Sequence, residues 1–182
     1  AVRVFVMGER ATAFEPANDE DIAQMRAITR EAVEAGAFGI STSRALFHKT
    51  QAGAYIPTMR TQVEEFVSIA KGLKDAGGGF IEAISDWITD PRPDPHSAPL
   101  DPEGAFDVFV QVARESGRTL VYTLAQVNTQ PDLYRDVLET NRKATKEAGV
   151  TIRPVFPPRA PGFRLGLQAP PTPSPGCPTL TA

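Results

Sequence analysis

Chemically capable side chains are sparse in this chain and fall into a few clusters. Ser41, Thr42, Ser43, Arg44 and His48 lie close together, as do Glu82, Ser85 and Asp86. Thr123 and Gln126 form a smaller pair, and Arg153 and Arg159 flank a proline-rich turn. Glu82 and Asp86 are the candidate catalytic groups, because a carboxylate directed into a pocket can move a proton or bind a metal. Ser41, Thr42, His48 and Arg159 are the candidate substrate-binding groups. Two hydroxyls supply hydrogen bonds, an imidazole can bind substrate, act as a base or ligate a metal, and a guanidinium can grip a carboxylate bidentately. A serine nucleophile is not indicated. Ser41 and Ser43 lack a Gly-x-Ser-x-Gly elbow, and the sequence identifies no base for either. His96 lies in Pro91-Arg92-Pro93-Asp94-Pro95-His96, which reads as an exposed extended loop. The single cysteine, Cys177, excludes an internal disulfide and reads as an incidental thiol.

The elements that position these groups are marked by a recurring signature. Glu34-Ala35-Gly36, Asp75-Ala76-Gly77, Glu115-Ser116-Gly117 and Glu147-Ala148-Gly149 each close a helical pattern and precede an apolar run, with glycines 41, 40 and 32 residues apart. A glycine just past a helix C-terminus is what a helix-to-strand loop requires. The runs 38–42, 80–85, 119–124 and 151–156 are the expected strands. Between them come helices with their own start signals. Asn18 precedes Asp19 and Glu20, ahead of the stripe Ile22, Met25, Ile28, Ala32. Thr61 and Glu64 have capping-box spacing ahead of Val63, Phe66, Val67 and Ala70. Asp101 can cap and Pro102 suits the first helical position, before Phe106, Phe109, Val110 and Ala113. A fourth helix spans roughly 131–147.

Strands alternating with helices at this spacing need crossover connections and hence pair in parallel. Long strand-to-helix loops at 43–60 and 87–100 favour a barrel or a doubly wound sheet over a solenoid. No Gly-x-Gly-x-x-Gly follows a strand, which removes the main case for a dinucleotide-binding sheet. The expected fold class is therefore α/β, a partial (β/α) TIM-type barrel with parallel strands. Its catalytic groups would lie at strand C-termini and in the loops that follow. Val2-Arg3-Val4-Phe5-Val6 reads as a further strand edge. Nine of the seventeen prolines lie from Pro154 onward, and residues 169–182 read as a disordered tail that buries too little apolar surface to fold. Both ends read as cut, so the 182 residues are expected to be an arc of a longer barrel, which typically needs ~250.

Composition sets the outer limits. The chain is 41% hydrophobic and 23% charged with a net charge of −3, an ordinary globular balance that disfavours a polyanion partner such as nucleic acid. No apolar run reaches the ~18 residues of a membrane span and no signal-peptide pattern opens the chain, so no membrane partner is expected and the location reads as cytoplasmic.

Glu34-Ala35-Gly36-Ala37-Phe38-Gly39-Ile40-Ser41-Thr42-Ser43-Arg44 resembles the N-acyl-D-amino-acid deacylase branch of the amidohydrolase superfamily. Val4 to Arg10 resembles a segment before that motif, and Val155 to Gln168 one after it. The resemblance runs to about residue 168, so 1–168 is expected to be a partial amidohydrolase barrel. It implies hydrolysis of a carbon–nitrogen amide bond other than a peptide bond, in a small molecule such as an N-acyl-D-amino acid. It also implies a metal-activated water, with zinc as cofactor in the full-length parent. The family holds zinc partly through histidines on the strands matching the second and third here, where this chain reads Phe80 to Asp86 and Tyr122 to Gln126 without one. No zinc ligand carries over. The fragment itself is expected to be inactive, and a metal-free binding barrel on the same scaffold is the alternative.

Overall fold

The computed structural model describes residues 2–45, 48–50, 53–85, 87, 102–126 and 130–156. Asp86, His96, Asp101, Arg159 and the tail 169–182 lie outside the described residues. Helices α1 (Val2–Met7), α2 (Glu9–Thr12) and α3 (Asp19–Glu34) lead into strand β1 (Gly39–Arg44). A 3-10 turn (Pro57–Arg60) precedes α4 (Val63–Asp75). Then β2 (Phe80–Ser85), α5 (Pro102–Ser116), β3 (Leu120–Thr123), α6 (Leu133–Ala148) and β4 (Ile152–Val155) alternate to the end. The strands form one sheet in the order β1-β2-β3-β4, every neighbouring pair parallel. This is the sequential arrangement expected from the four glycine-marked units. All four marker glycines have positive φ, from 64° at Gly117 to 107° at Gly36, so each reverses the chain where a side chain would be strained.

The helices cover one face of the sheet. Ile81, Ala83, Leu120, Tyr122 and Ile152 alternate along the strands and pack on Phe66, Val67, Ala70 and Leu73 of α4 and Phe106, Phe109, Val112 and Ala113 of α5. Trp87, just beyond β2, caps this core, stacking on Phe106 and meeting Phe109 and Tyr122 edge-on. Its indole N–H donates to the Thr123 carbonyl at 3.1 Å. In α6, half-buried Leu133 and buried Val137 and Asn141 recur every four residues, so that helix is amphipathic.

Two local expectations are corrected. Val2–Met7 is a helix, not a strand edge: Arg3 and Met7, four apart, are its buried residues. Met7 packs with Ala11, Met25 and Ile69, and Arg3 pairs with Glu65, so tertiary contacts override the β-propensity of three valines. The Thr61–Glu64 capping box does not form. Thr61 closes the 3-10 turn through its N–H to Thr58 O at 3.2 Å, and α4 starts at Val63 after Gln62 with no side-chain cap. The box that does form is Asn18 with Asp21, whose side chains accept from each other's backbone N–H at 2.8 and 3.0 Å.

Candidate active site

Strand alternation decides which side chains share a surface. Because Ile81, Ala83, Leu120, Tyr122 and Ile152 face the helices, Glu82, Ile84, Val121, Thr123, Arg153 and Val155 face the other way. Ile40 also packs on the helix side, which puts Ser41 and Ser43 on the opposite face. The register then sets Ser41, Glu82, Val121 and Arg153 side by side in one row across four strands. Ser43 opposes Ile84 in the next row towards the strand ends, and Thr123 opposes Val155 there.

Within the lower row the Ser41 hydroxyl donates to Glu82 Oε2, so two expected site residues 41 positions apart in sequence meet directly. Above it, Ser43 Oγ lies 2.6 Å from His48 Nδ1. Thr42 does not join them. It projects with Ile40 and lines a cavity of about 210 Å³ between α1, α3, the 3-10 turn, α4 and β1, which Ser41 also borders. That cavity also holds Arg3, Thr61 and Glu65. Arg3 and Glu65 form a buried ion pair, and Glu65 Oε1 and Thr61 Oγ1 have no hydrogen-bond partner among the described residues. Arg44 is largely buried, which lowers its pKa, and its Nη1 donates to the Thr61 carbonyl at 2.8 Å. Gln126 is exposed and its Nε2 donates to the Pro131 carbonyl at 3.3 Å, a loop contact.

The sequence reading missed two groupings. Arg153 lies inside β4, in the row of Ser41 and Glu82. The Ser43–His48 contact joins residues five apart, a spacing with no strand or helix periodicity to announce it.

No protein-family model and no curated protein matches the chain. Two solved structures do, each with a TM-score of 0.59 at 20% identity. One is a D-aminoacylase mutant in complex with copper chloride. The other concerns the binuclear metal centre of D-aminoacylase, with one-metal activation and second-metal attenuation. The chain has the fold of one part of D-aminoacylase. Each match covers 87% of this chain and 28% of the D-aminoacylase chain, whose fold is a TIM barrel.

The donor set here does not fit such a metal centre. Among the described residues no three His, Cys, Asp or Glu side chains converge. Glu82 is the one carboxylate in the row of Ser41 and the row of Ser43. Beside it stand a hydroxyl and aliphatic side chains, and two strands along the same row lies the cationic Arg153, which opposes a second positive charge. Among the described residues, no helix is long and apolar enough to cross a membrane.

Proposed function

We propose that the four strands belong to an amidohydrolase-type barrel that hydrolyses an amide bond in a small N-acylated amino acid, the D-series included. The hydrogen-bonded Ser41–Glu82 pair on the sheet face opposite α4 and α5, in a fold shared with D-aminoacylase, carries this reading. Ser41 fixes the Glu82 carboxylate, which takes a proton from the water that attacks the acyl carbon and passes it to the amine as the C–N bond breaks. Arg153, two strands away, supplies a cation for the substrate carboxylate. Asp86 and Arg159, the other expected site residues, lie outside the described residues, and His48 stands beyond the end of β1. Zinc, the metal that the resemblance implies, would take its ligands from outside the described residues.

A second reading, a metal-free binding barrel, is favoured by the same poverty of ligands around Glu82. One preparation separates the two. The protein purified from its own cells under metal-replete conditions is assayed for acid release from N-acyl-D- and N-acyl-L-amino acids, alongside its metal content. Turnover that falls ~10²-fold in Glu82→Gln supports the hydrolase. Saturable ligand binding without turnover or metal supports the binding barrel and removes the hydrolase.

A further inference from the structure

The end of β1 carries a reactive arrangement that needs no metal. Ser43 is the last but one residue of the strand, on the face opposite α4 and α5, and its Oγ lies 2.6 Å from His48 Nδ1. The Ala45 N–H donates to the same oxygen at 3.2 Å and takes up one of its lone pairs. With the imidazole proton on Nε2, the single hydroxyl hydrogen of Ser43 is then directed at Nδ1. The backbone at Ser43 and Arg44 is tied down. The Ser43 carbonyl accepts from Thr58 Oγ1 at 2.7 Å, and Arg44 Nη1 anchors on the Thr61 carbonyl at 2.8 Å. Ile84, opposite Ser43 in register, offers an apolar wall beside the hydroxyl.

We propose that Ser43 and His48 are a nucleophile–base pair for acyl transfer from esters or amides with small apolar acyl groups. An imidazole is the stronger base near neutral pH, so Ser43 is better activated than Ser41, whose partner is a carboxylate. The Ser43 Oγ attacks the acyl carbon and forms a C–O bond while its proton passes to His48 Nδ1. Collapse of the tetrahedral species breaks the substrate C–N or C–O bond, and the imidazolium returns that proton to the departing amine or alcohol. Water then attacks the acyl-serine, giving one proton to His48. The carboxylic acid leaves, Ser43 Oγ recovers the proton, and the pair is restored. The inference rests on the reading that this end of the sheet is the reactive mouth, but on neither a metal nor an amide substrate.

The test is labelling of the purified full chain with an alkyl fluorophosphonate, with the adduct located by peptide mass spectrometry in the presence and absence of EDTA. The expected result is a single adduct on Ser43, unaffected by the chelator and abolished in Ser43→Ala. His48→Asn retains a hydrogen-bonding group near the position of Nδ1 but no base, and should label ~10²-fold more slowly. No adduct on the unaltered chain, an adduct on another residue, or undiminished labelling of His48→Asn would each overturn the proposal. An adduct on Ser43 in a protein that cleaves no N-acyl amino acid upholds this inference while removing the hydrolase reading above.

Discussion

Glu65 shows how a polar residue can dominate its surroundings without belonging to the row of Ser41 or the row of Ser43. It sits in the first turn of α4 and is 1% exposed. Its partner Arg3, on α1, also donates to the Glu15 carbonyl. Two charges withdrawn from water are tolerated only because each neutralises the other, and removal of one strands its partner. Glu65→Ala should therefore lower stability by about 3–5 kcal/mol, read by urea titration. The double change Arg3→Met with Glu65→Leu, which removes both charges at similar volume, should restore most of the loss. Equal instability in the single and double variants would show that packing rather than charge holds α1 in place. Tyr122 is the other buried polar side chain of note. Its hydroxyl has no partner among the described residues, and burial raises the phenol pKa well above its usual value.

Two of the acidic residues in the glycine signature serve to join helices. Asp75, in the last turn of α4, takes a bidentate pair from Arg26 of α3 at 2.6 and 2.9 Å, and Glu115 of α5 takes Lys71 of α4 at 2.9 Å. An acid at a helix C-terminus opposes the helix dipole, so its partner on the preceding helix supplies the compensation. The Arg26 guanidinium holds the Asp75 pKa below its ordinary value. A depressed carboxylate contributes stability that is full above the unfolded-state value of about 4 and is lost as pH falls through the lower folded value. Asp75→Asn should thus reduce Tm at pH 6 and converge with the unaltered protein at about pH 2, since both then lack the charge. Parallel Tm curves across that range would refute the linkage. A second prediction concerns the β1–β2 seam. A Cβ on Gly39 would fall 1.9 Å from the Phe80 carbonyl oxygen, so Gly39→Ala must push the strands apart at a cost of about 1–3 kcal/mol. Gly78→Ala, with open space around the added methyl, should stay within about 0.5 kcal/mol of the original. Similar losses in both would deny the close strand approach.

The whole sheet leaves much unpaired among the described residues. β1 and β4 each have one strand neighbour, Val155 and Phe156 are 52% and 70% exposed, and Phe38 is 86% exposed. Free parallel edges and an uncovered apolar face favour association. The 182-residue chain in isolation is expected to bind 8-anilinonaphthalene-1-sulfonate and to unfold over a broad temperature range, with sedimentation that depends on concentration. A sharp transition in a dye-silent monomer would contradict this picture. Closure into a barrel would bury the rows carrying Ser41, Glu82 and Arg153 and raise the strength of every polar contact there, because the surrounding dielectric falls.

Periodicity alone determined the four strands, their parallel sequential order and the helices between them, since glycine at helix ends and apolar spacing are local properties of the chain. Residue type and position also singled out Ser41, Glu82 and His48. What local pattern could not supply was who meets whom. Ser41 finds Glu82 through strand register, and Thr42 turns away because successive side chains alternate across a sheet. Ser43 meets His48 across a spacing of five residues that no strand or helix period encodes. Val2–Met7 is helical because its Arg3 reaches a carboxylate 62 residues on, a contact invisible to propensity. The sequence thus set the elements through short-range physics. The juxtapositions from which any chemistry must come were decided by the packing of helices and strands distant in the chain.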